Sequence, residues 1–351
     1  MKAIMLCAGL GTRLRPLTYS IAKHLIPVAN KPVLYFGIEN LIAVGIDQIG
    51  MIVSKESQPI IEGAVGDGSR WGIRIVYIEQ DAPRGLAHAC QCAESFVAGD
   101  DFVMYLGDNL IPEGLGHAVE RFRSGADAVV MLKAVDDPRA FGIAQLDGER
   151  IVRLIEKPQD PPSNLAIVGG YVFSSEIFAS IGLIKPSWRN ELEITDAIQN
   201  LIDRNFKVLP YVMTSYWKDT GKPHDILDAN QVMLDKLTPA QHGRVDSGSK
   251  IDGVAVIGEG AEVRNSKLIG PVIIGANAKI ENATLGPYVS AGERVEVRNS
   301  TVRDCVIMED TKVHDLSRPL VRSLIGRKAQ ITGQAEGEVR LIAGDMCDIA
   351  V

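Results

Sequence analysis

Ala3-Ile4-Met5-Leu6-Cys7, running on into Ala8-Gly9-Leu10-Gly11-Thr12-Arg13-Leu14-Arg15-Pro16-Leu17-Thr18, sets the frame for the whole chain. The apolar run predicts a buried first strand, so the glycines fall where strand turns toward helix. Such a turn suits a phosphate. Gly9 and Gly11 let the backbone approach an anion, their N–H groups can point at its oxygens, and Arg13 and Lys23 add positive charge. Glycine spacing alone fits a plain strand-to-helix turn equally well.

Working outward, 351 residues give room for one large or two medium domains, each with a core. Hydrophobic residues at 46% and charged residues at 23% describe a soluble globular chain. The formal net charge of -7 argues against a broad nucleic-acid or membrane surface, so an anionic ligand must be met by a local basic cluster. The N-terminus lacks a leader pattern and no apolar run approaches a membrane span, which makes a cytoplasmic protein the expectation. Cys7, Cys90, Cys92, Cys305 and Cys347 are odd in number and scattered, so they read as reduced. Cys90 and Cys92 lie close together but lack further ligands at metal-site spacing.

From Met1 to about Leu237 apolar β-rich runs alternate with amphipathic stretches, which predicts helices on both faces of a mixed, mostly parallel sheet of the Rossmann-like α/β class. Expected strands are Lys2–Cys7, Gln48–Val53, Arg74–Ile78, Asp101–Leu106, Ala128–Leu132, Ala144–Leu146, Gly170–Phe173 and Lys207–Val212. Expected helices include Pro32–Val44, Gly85–Phe96 and Glu113–Arg123. After Leu237 helical periodicity stops. From Ile257 an aliphatic residue recurs every five or six positions, through Val263, Leu268, Ile274, Ile280, Leu285, Ala291, Val297, Val302, Ile307 and Val313 to Ile325 and Ile331. Glycine follows several of them. That hexapeptide period predicts a β-helix over 250–351, with Thr238–Ser249 as the linker from a catalytic domain over 1–237.

Several short constellations carry chemistry. Gln80, ahead of Gly85-Leu86-Ala87-His88-Ala89, has an amide that can donate and accept at once, as the N3–H and O4 edge of thymine or uracil requires. Leu106-Gly107-Asp108-Asn109 ends an apolar strand where α/β sheets bind ligands, and Trp217-Lys218-Asp219-Thr220-Gly221 offers a second carboxylate; together they suit Mg²⁺. Either aspartate alone reads equally as a cap. Glu156-Lys157-Pro158 follows the Ile151–Ile155 run, and in a strand the two charges point to opposite faces unless the backbone bends. Arg189-Asn190-Glu191-Leu192-Glu193-Ile194-Thr195-Asp196 reads as a helix N-terminus with acids in its first turn.

The ordered set GLGTRLRPLT, Lys23 with LIPVANKP, Gln80 with GLAHA, GDN, FGIA, EKP, ELEITD and WKDTG resembles the sugar-nucleotide pyrophosphorylases. Among them it is most similar to the long-form glucose-1-phosphate thymidylyltransferases, which carry a C-terminal left-handed β-helix. The resemblance covers nearly the whole chain and is strongest before Asn230. It implies that dTTP and glucose 1-phosphate give dTDP-glucose and pyrophosphate with Mg²⁺, by in-line attack of a sugar-phosphate oxygen on the α-phosphorus. It implies catalytic roles for Arg13 toward the departing pyrophosphate, Lys23 toward the triphosphate and Lys157 toward the sugar phosphate, and a metal-holding role for Asp108 and Asp219. Leu6, Ala8, Gly9, Gly11, Thr12, Gln80 and Gly85 would contact the nucleotide, with Gly142, Glu156, Val168, Arg189 and Glu191 around the hexose and its phosphate. The chain departs from the pattern at Ala8 and Asn190, where glycine is common, and at Ala22, where proline is.

Three other readings compete. A uridylyltransferase keeps the chemistry and changes the base. A non-catalytic relative would not need Arg13, Lys23, Asp108, Lys157 and Asp219 together. An acyltransferase in the β-helix would need a catalytic histidine, and His314 is the only one among the repeats. Open coil ends need cover, from a partner chain or from the catalytic domain, and a homo-oligomer is expected.

Overall fold

The computed structural model describes residues 1–351. The chain divides into two compact units, Met1–Leu10 with Leu34–Asp219, and Gly11–Val33 with Thr220–Val351. In chain order the strands up to Asp219 are β1 (Lys2–Leu6), β2 (Pro27–Val28), β3 (Lys31–Pro32), β4 (Gln48–Val53), β5 (Arg74–Glu79), β6 (Phe102–Leu106), β7 (Asn109–Leu110), β8 (Ala128–Ala134), β9 (Gly142–Asp147), β10 (Arg150–Glu156), β11 (Leu165–Phe173), β12 (Val208–Val212) and β13 (Lys218–Asp219). The helices are α1 (Val33–Ala43), α2 (Gln58–Val65), α3 (Leu86–Gln91), α4 (Glu94–Val97), α5 (Gly116–Arg123), α6 (Glu176–Ile181), α7 (Ile194–Asp203) and α8 (Pro223–Leu234).

The first unit is a Rossmann-like mixed sheet in the order β10-β9-β11-β6-β1-β4-β5, with β8 beside β11 and β12 beside β8. β1, β4, β5 and β6 run parallel, while β11 runs antiparallel to both β6 and β8. Strands covered on both faces are apolar throughout, which is why Ala3, Ile4 and Met5 are all fully buried. Alternation then sorts them. Ile4 and Leu6 join the core with α3, α4, α6 and α7. Met5 and Tyr105 face α1 so closely that a Cβ on Gly37 would lie 2.7 Å from Tyr105 Cε1. The expected Gly85–Phe96 helix breaks between α3 and α4, and the Glu113 helix begins only at Gly116.

The glycine turn differs from its sequence reading. No α-helix follows β1. The chain makes three single 3-10 turns, Thr12–Leu14, Leu17–Tyr19 and Lys23–Leu25, and the first α-helix starts at Val33. Gly11 adopts a left-handed backbone (φ 64°) ahead of the first turn, and Pro16, lacking an N–H, cannot continue it. An anion held here therefore meets loop amides and cations rather than an α-helix dipole.

After α8, the second unit from Ala240 onward is the parallel β-helix that the hexapeptide period predicts, and it fits the left-handed kind. Every aliphatic residue of the period, Ile257 through Ile331, belongs to its buried core. Register stacks like on like: Ile251, Leu268, Leu285 and Val302 pair in succession, as do Val263, Ile280, Val297 and Val313. Corners use left-handed asparagines, with Asn265 Nδ2 donating to Asn282 Oδ1 at 2.7 Å in the next coil. The segment Thr238–Ser249, expected to be a linker, already belongs to the coils. Its Ala240–Gln241 and Arg244–Val245 pair with the strands Ala255–Ile257 and Glu262–Arg264. Its proline, glycine and serines are corner chemistry, which composition cannot tell from a linker.

Candidate active site

β7 and β13 pair antiparallel, which sets Asp219 opposite Asn109, the residue that follows Asp108. Asn109 organises this corner and was not singled out from the sequence. It is 2% exposed, its Nδ2 donates to Asp108 Oδ1 at 3.0 Å, and its Oδ1 accepts from Trp217 Nε1 at 2.6 Å and Gly169 N at 3.2 Å. Tyr105 donates its hydroxyl to the Asn109 carbonyl at 2.8 Å. A buried carboxamide with all these partners fixes the rotamer of the neighbouring carboxylate. Its signal in the sequence was only the Asn of GDN. Val168, fully buried in β11, precedes Gly169, whose added Cβ would lie 2.5 Å from Asn109 Cγ. Gly169→Ala is therefore expected to cost on the order of 1–3 kcal/mol in a denaturant titration.

The set Glu156, Lys157, Arg189 and Glu191 also assembles within the first unit. Lys157 has φ 41°, so the backbone does bend, and both charges turn to one side: Lys157 Nζ lies 3.4 Å from Glu156 Oε1. Arg189 reaches Glu156 at 3.6 Å, Glu191 at 2.9 Å and Glu193 at 3.3 Å. Burial, the largest influence, pushes the Glu156 carboxyl above the ordinary carboxylate range, with Glu193 adding to it and Lys157 and Arg189 opposing. Gly142 leaves room for this carboxylate, since a Cβ there would stand 3.0 Å from Glu156 Oε2 and 2.8 Å from Thr195 Cγ2. The Arg189–Glu193 stretch is loop, not helix. Glu193 is extended (φ -82°, ψ 135°) and α7 starts after it, because its carboxylate serves Ser187 Oγ at 2.8 Å and Arg189. Asn190 takes φ 60°, a conformation that favours glycine and that asparagine tolerates.

Gln80 is 8% exposed, and its Nε2 lies 3.3 Å from the Gly85 carbonyl and 3.1 Å from His88 Nδ1. A carbonyl can only accept, so the amide nitrogen must face Gly85, and the imidazole must accept at Nδ1 and carry its proton on Nε2, 3.3 Å from Asp81 Oδ1. Burial, first among the causes, lowers the His88 pKa and favours that neutral ring. With both amide protons directed inward, Oε1 is the atom Gln80 has left to accept from a ligand. Gly85 has φ 103°, and an added Cβ would stand 2.8 Å from Leu192 N. Ala87 N donates to Leu192 O at 3.0 Å and Leu192 N to Arg84 O at 2.8 Å, tying this loop to the Glu191 segment.

Leu6, Ala8 and Gly9 lie in the first unit, and Gly11, Thr12, Arg13 and Lys23 in the second. Within the second, Thr18 Oγ1 donates to Gly11 O at 2.8 Å, and a Cβ on Gly11 would meet Lys23 Cβ at 2.9 Å. Only glycine fits between that turn and Lys23. Ala8 is outside the left-handed region, so its Cβ carries no backbone strain.

The residues fit a magnesium ion. No group of three or more His, Cys, Asp and Glu side chains forms a metal cage. Two hard carboxylates, one in the turn just before β7 and one on its partner β13, match a cation that takes few protein ligands and fills its shell with phosphate oxygens and water. No helix is long and apolar enough to cross a membrane.

The nucleotidyl transferase family model matches residues 2–236. A glucose-1-phosphate thymidylyltransferase of Streptomyces griseus is 44% identical over 349 residues, covering 98% of each chain. A low-salt glycan biosynthesis nucleotidyltransferase of Haloferax volcanii is 48% identical over 263 residues, 74% of each chain. Among solved structures, a Bacillus anthracis protein assigned as a glucose-1-phosphate thymidylyltransferase superposes with a TM-score of 0.64 at 34% identity, over 69% of this chain and 98% of its own. A UDP-glucose pyrophosphorylase of Acinetobacter baumannii gives 0.58 at 27% identity, over 67% and 94%.

Proposed function

The chain belongs to the nucleotidyl transferase family, and on that premise we propose that it transfers dTMP from dTTP to glucose 1-phosphate, releasing pyrophosphate and forming dTDP-glucose. The observation that carries this reading is the 44% identity to the Streptomyces griseus enzyme along 98% of both chains, catalytic part and β-helix alike. A phosphate oxygen of the sugar attacks the α-phosphorus while the bond to the β-phosphate oxygen breaks, so no covalent nucleophile is needed. Magnesium, when bound, would neutralise phosphate charge, and Asp108 and Asp219 are the residues to hold it.

The other groups position two anions. Lys157 and Arg189 are paired with carboxylates, and a sugar phosphate would compete for them as a stronger, multidentate acceptor. Glu156 and Glu191 would accept hydrogen bonds from hexose hydroxyls, and Gln80 Oε1 from the base N3–H. Lys23 would meet the triphosphate in the ground state, and Arg13 the pyrophosphate as it departs.

A uridylyltransferase is the second reading, because UDP-glucose pyrophosphorylases share the fold and Gln80 Oε1 would accept N3–H from either base. Pyrophosphate release measured for each nucleotide with each hexose 1-phosphate separates the two. At least about tenfold higher kcat/KM for dTTP than for UTP is expected, and equal values would remove the thymidylyl assignment.

A further inference from the structure

We propose that the β-helix is a working part of the nucleotidyltransferase, because it pins the segment that carries Lys23 through Asn230, a positioning residue. The proposal rests on the reading that Lys23 meets the triphosphate, and every contact it uses lies within the second unit.

The tip of the β2–β3 hairpin is Ala29-Asn30, with φ 48° and 60°. Two successive left-handed residues make the tight turn that matches strand twist, normally filled by Asn-Gly or Gly-Gly. Alanine is a poor choice for that conformation, so something outside the hairpin must hold it. Ala29 N donates to Asn230 Oδ1 of α8 at 2.8 Å, and the same oxygen accepts from Ser290 Oγ of the β-helix at 2.6 Å. Asn230 and Ser290 are both fully buried. One residue further along each segment, Asn30 Nδ2 donates to the Ala291 carbonyl at 2.7 Å. The hairpin tip is thus held directly by Ala291 of one coil and, through Asn230 of α8, by the adjacent Ser290.

The apolar packing agrees. Ser290 stacks in register with Ile273 and Val306, and Val306 with Leu324, a row neighbouring the core residues Ile274, Ile307 and Ile325 and so pointing outward. Outward positions of a β-helix are ordinarily polar, yet Val306 and Leu324 are buried. Helix α8 is clamped to these coils by Gln231 Nε2, which donates to Asp304 Oδ1 at 2.7 Å. From the tip the chain leads back through buried Val28, Ile26, Leu25 and His24 to Lys23. Nearer the glycines, Ser20 Oγ donates to Asp345 Oδ2 at 2.8 Å. The segment carrying Lys23 therefore takes its conformation from the coils, not from its own sequence.

The test compares the full-length parent with Asn230→Ala, Asn230→Asp and Ser290→Ala, by hydrogen exchange of the 24–33 amides and by pyrophosphate release. Asn230 Nδ2 makes no hydrogen bond, so aspartate keeps the one atom the hairpin and Ser290 use. Asn230→Ala is expected to speed exchange across 24–33 and to lower kcat/KM for the triphosphate at least about tenfold, mostly through KM. Asn230→Asp keeps the acceptor but buries a second carboxylate oxygen without a donor, so it should recover only part of this loss, and Ser290→Ala should be milder than Asn230→Ala. Unchanged exchange and kinetics in Asn230→Ala would overturn the proposal. If that variant does not fold, Ser290→Ala alone decides, with parent-like values overturning it. A parent inactive with every nucleotide would instead overturn the activity, leaving the exchange comparison to judge the anchoring.

Discussion

Asp108→Asn is expected to lower kcat by about a thousandfold while the protein stays folded, and the paired variant Asp108→Asn with Asp219→Asn is expected to be little worse than the poorer single one. The substitution keeps size and shape in a site where Asn109 Nδ2 already lies 3.0 Å from Asp108 Oδ1, so a thermal melt should move little. What changes is charge. An asparagine at Asp108 would still offer one oxygen, but with one anionic ligand fewer the site would hold a magnesium ion more weakly, and that ion is what would neutralise phosphate charge. Asp219 sits across the β7–β13 ladder from Asn109, the residue after Asp108, so if both carboxylates hold one ion their losses should overlap. Parent-like pyrophosphate release in Asp108→Asn would rule out the metal role, and losses that simply multiply in the double variant would mean two separate roles.

The same corner shows what a sequence can reveal. The strands were legible because burial on both faces writes apolar runs such as Ile49–Val53, and the β-helix because its core position returns every five or six residues. The candidate site residues stand out only as an ordered set of short motifs, since each motif alone reads as a cap or a turn. Asn109 escaped because its importance lies in partners at Trp217 and Gly169, distant in sequence and joined only by the sheet. The bend at Lys157 escaped because no glycine marks it. A lysine at φ 41° is held by tertiary contacts, among them Lys157 N donating to Phe141 O at 3.0 Å. The break between the two units was also hidden. The first of its three crossings falls inside the glycine motif, between Leu10 and Gly11, where the sequence reads as an ordinary strand-to-helix turn.

Arg13→Ala is expected to reduce kcat by about a thousandfold and to leave the nucleotide dissociation constant within a fewfold of the parent value. The turn that carries Arg13 does not need its side chain: Leu14 N bonds to Gly11 O at 2.9 Å, Leu14 is fully buried, and Thr18 Oγ1 caps the same carbonyl at 2.8 Å. Arg13 itself is exposed, so truncation should leave the melting temperature alone. Negative charge grows on the leaving pyrophosphate only as the bond breaks, and a guanidinium placed for that oxygen contributes little before then. A lysine at this position should restore part of kcat, because it supplies charge without the planar fork. Lys23 makes the contrast, since a group that grips the triphosphate throughout should affect dissociation and kcat/KM together. Equilibrium binding of dTTP beside single-turnover rates distinguishes the two cations. Weakened binding with unchanged turnover in Arg13→Ala would assign Arg13 to the ground state and leave the developing charge to the other groups of the site.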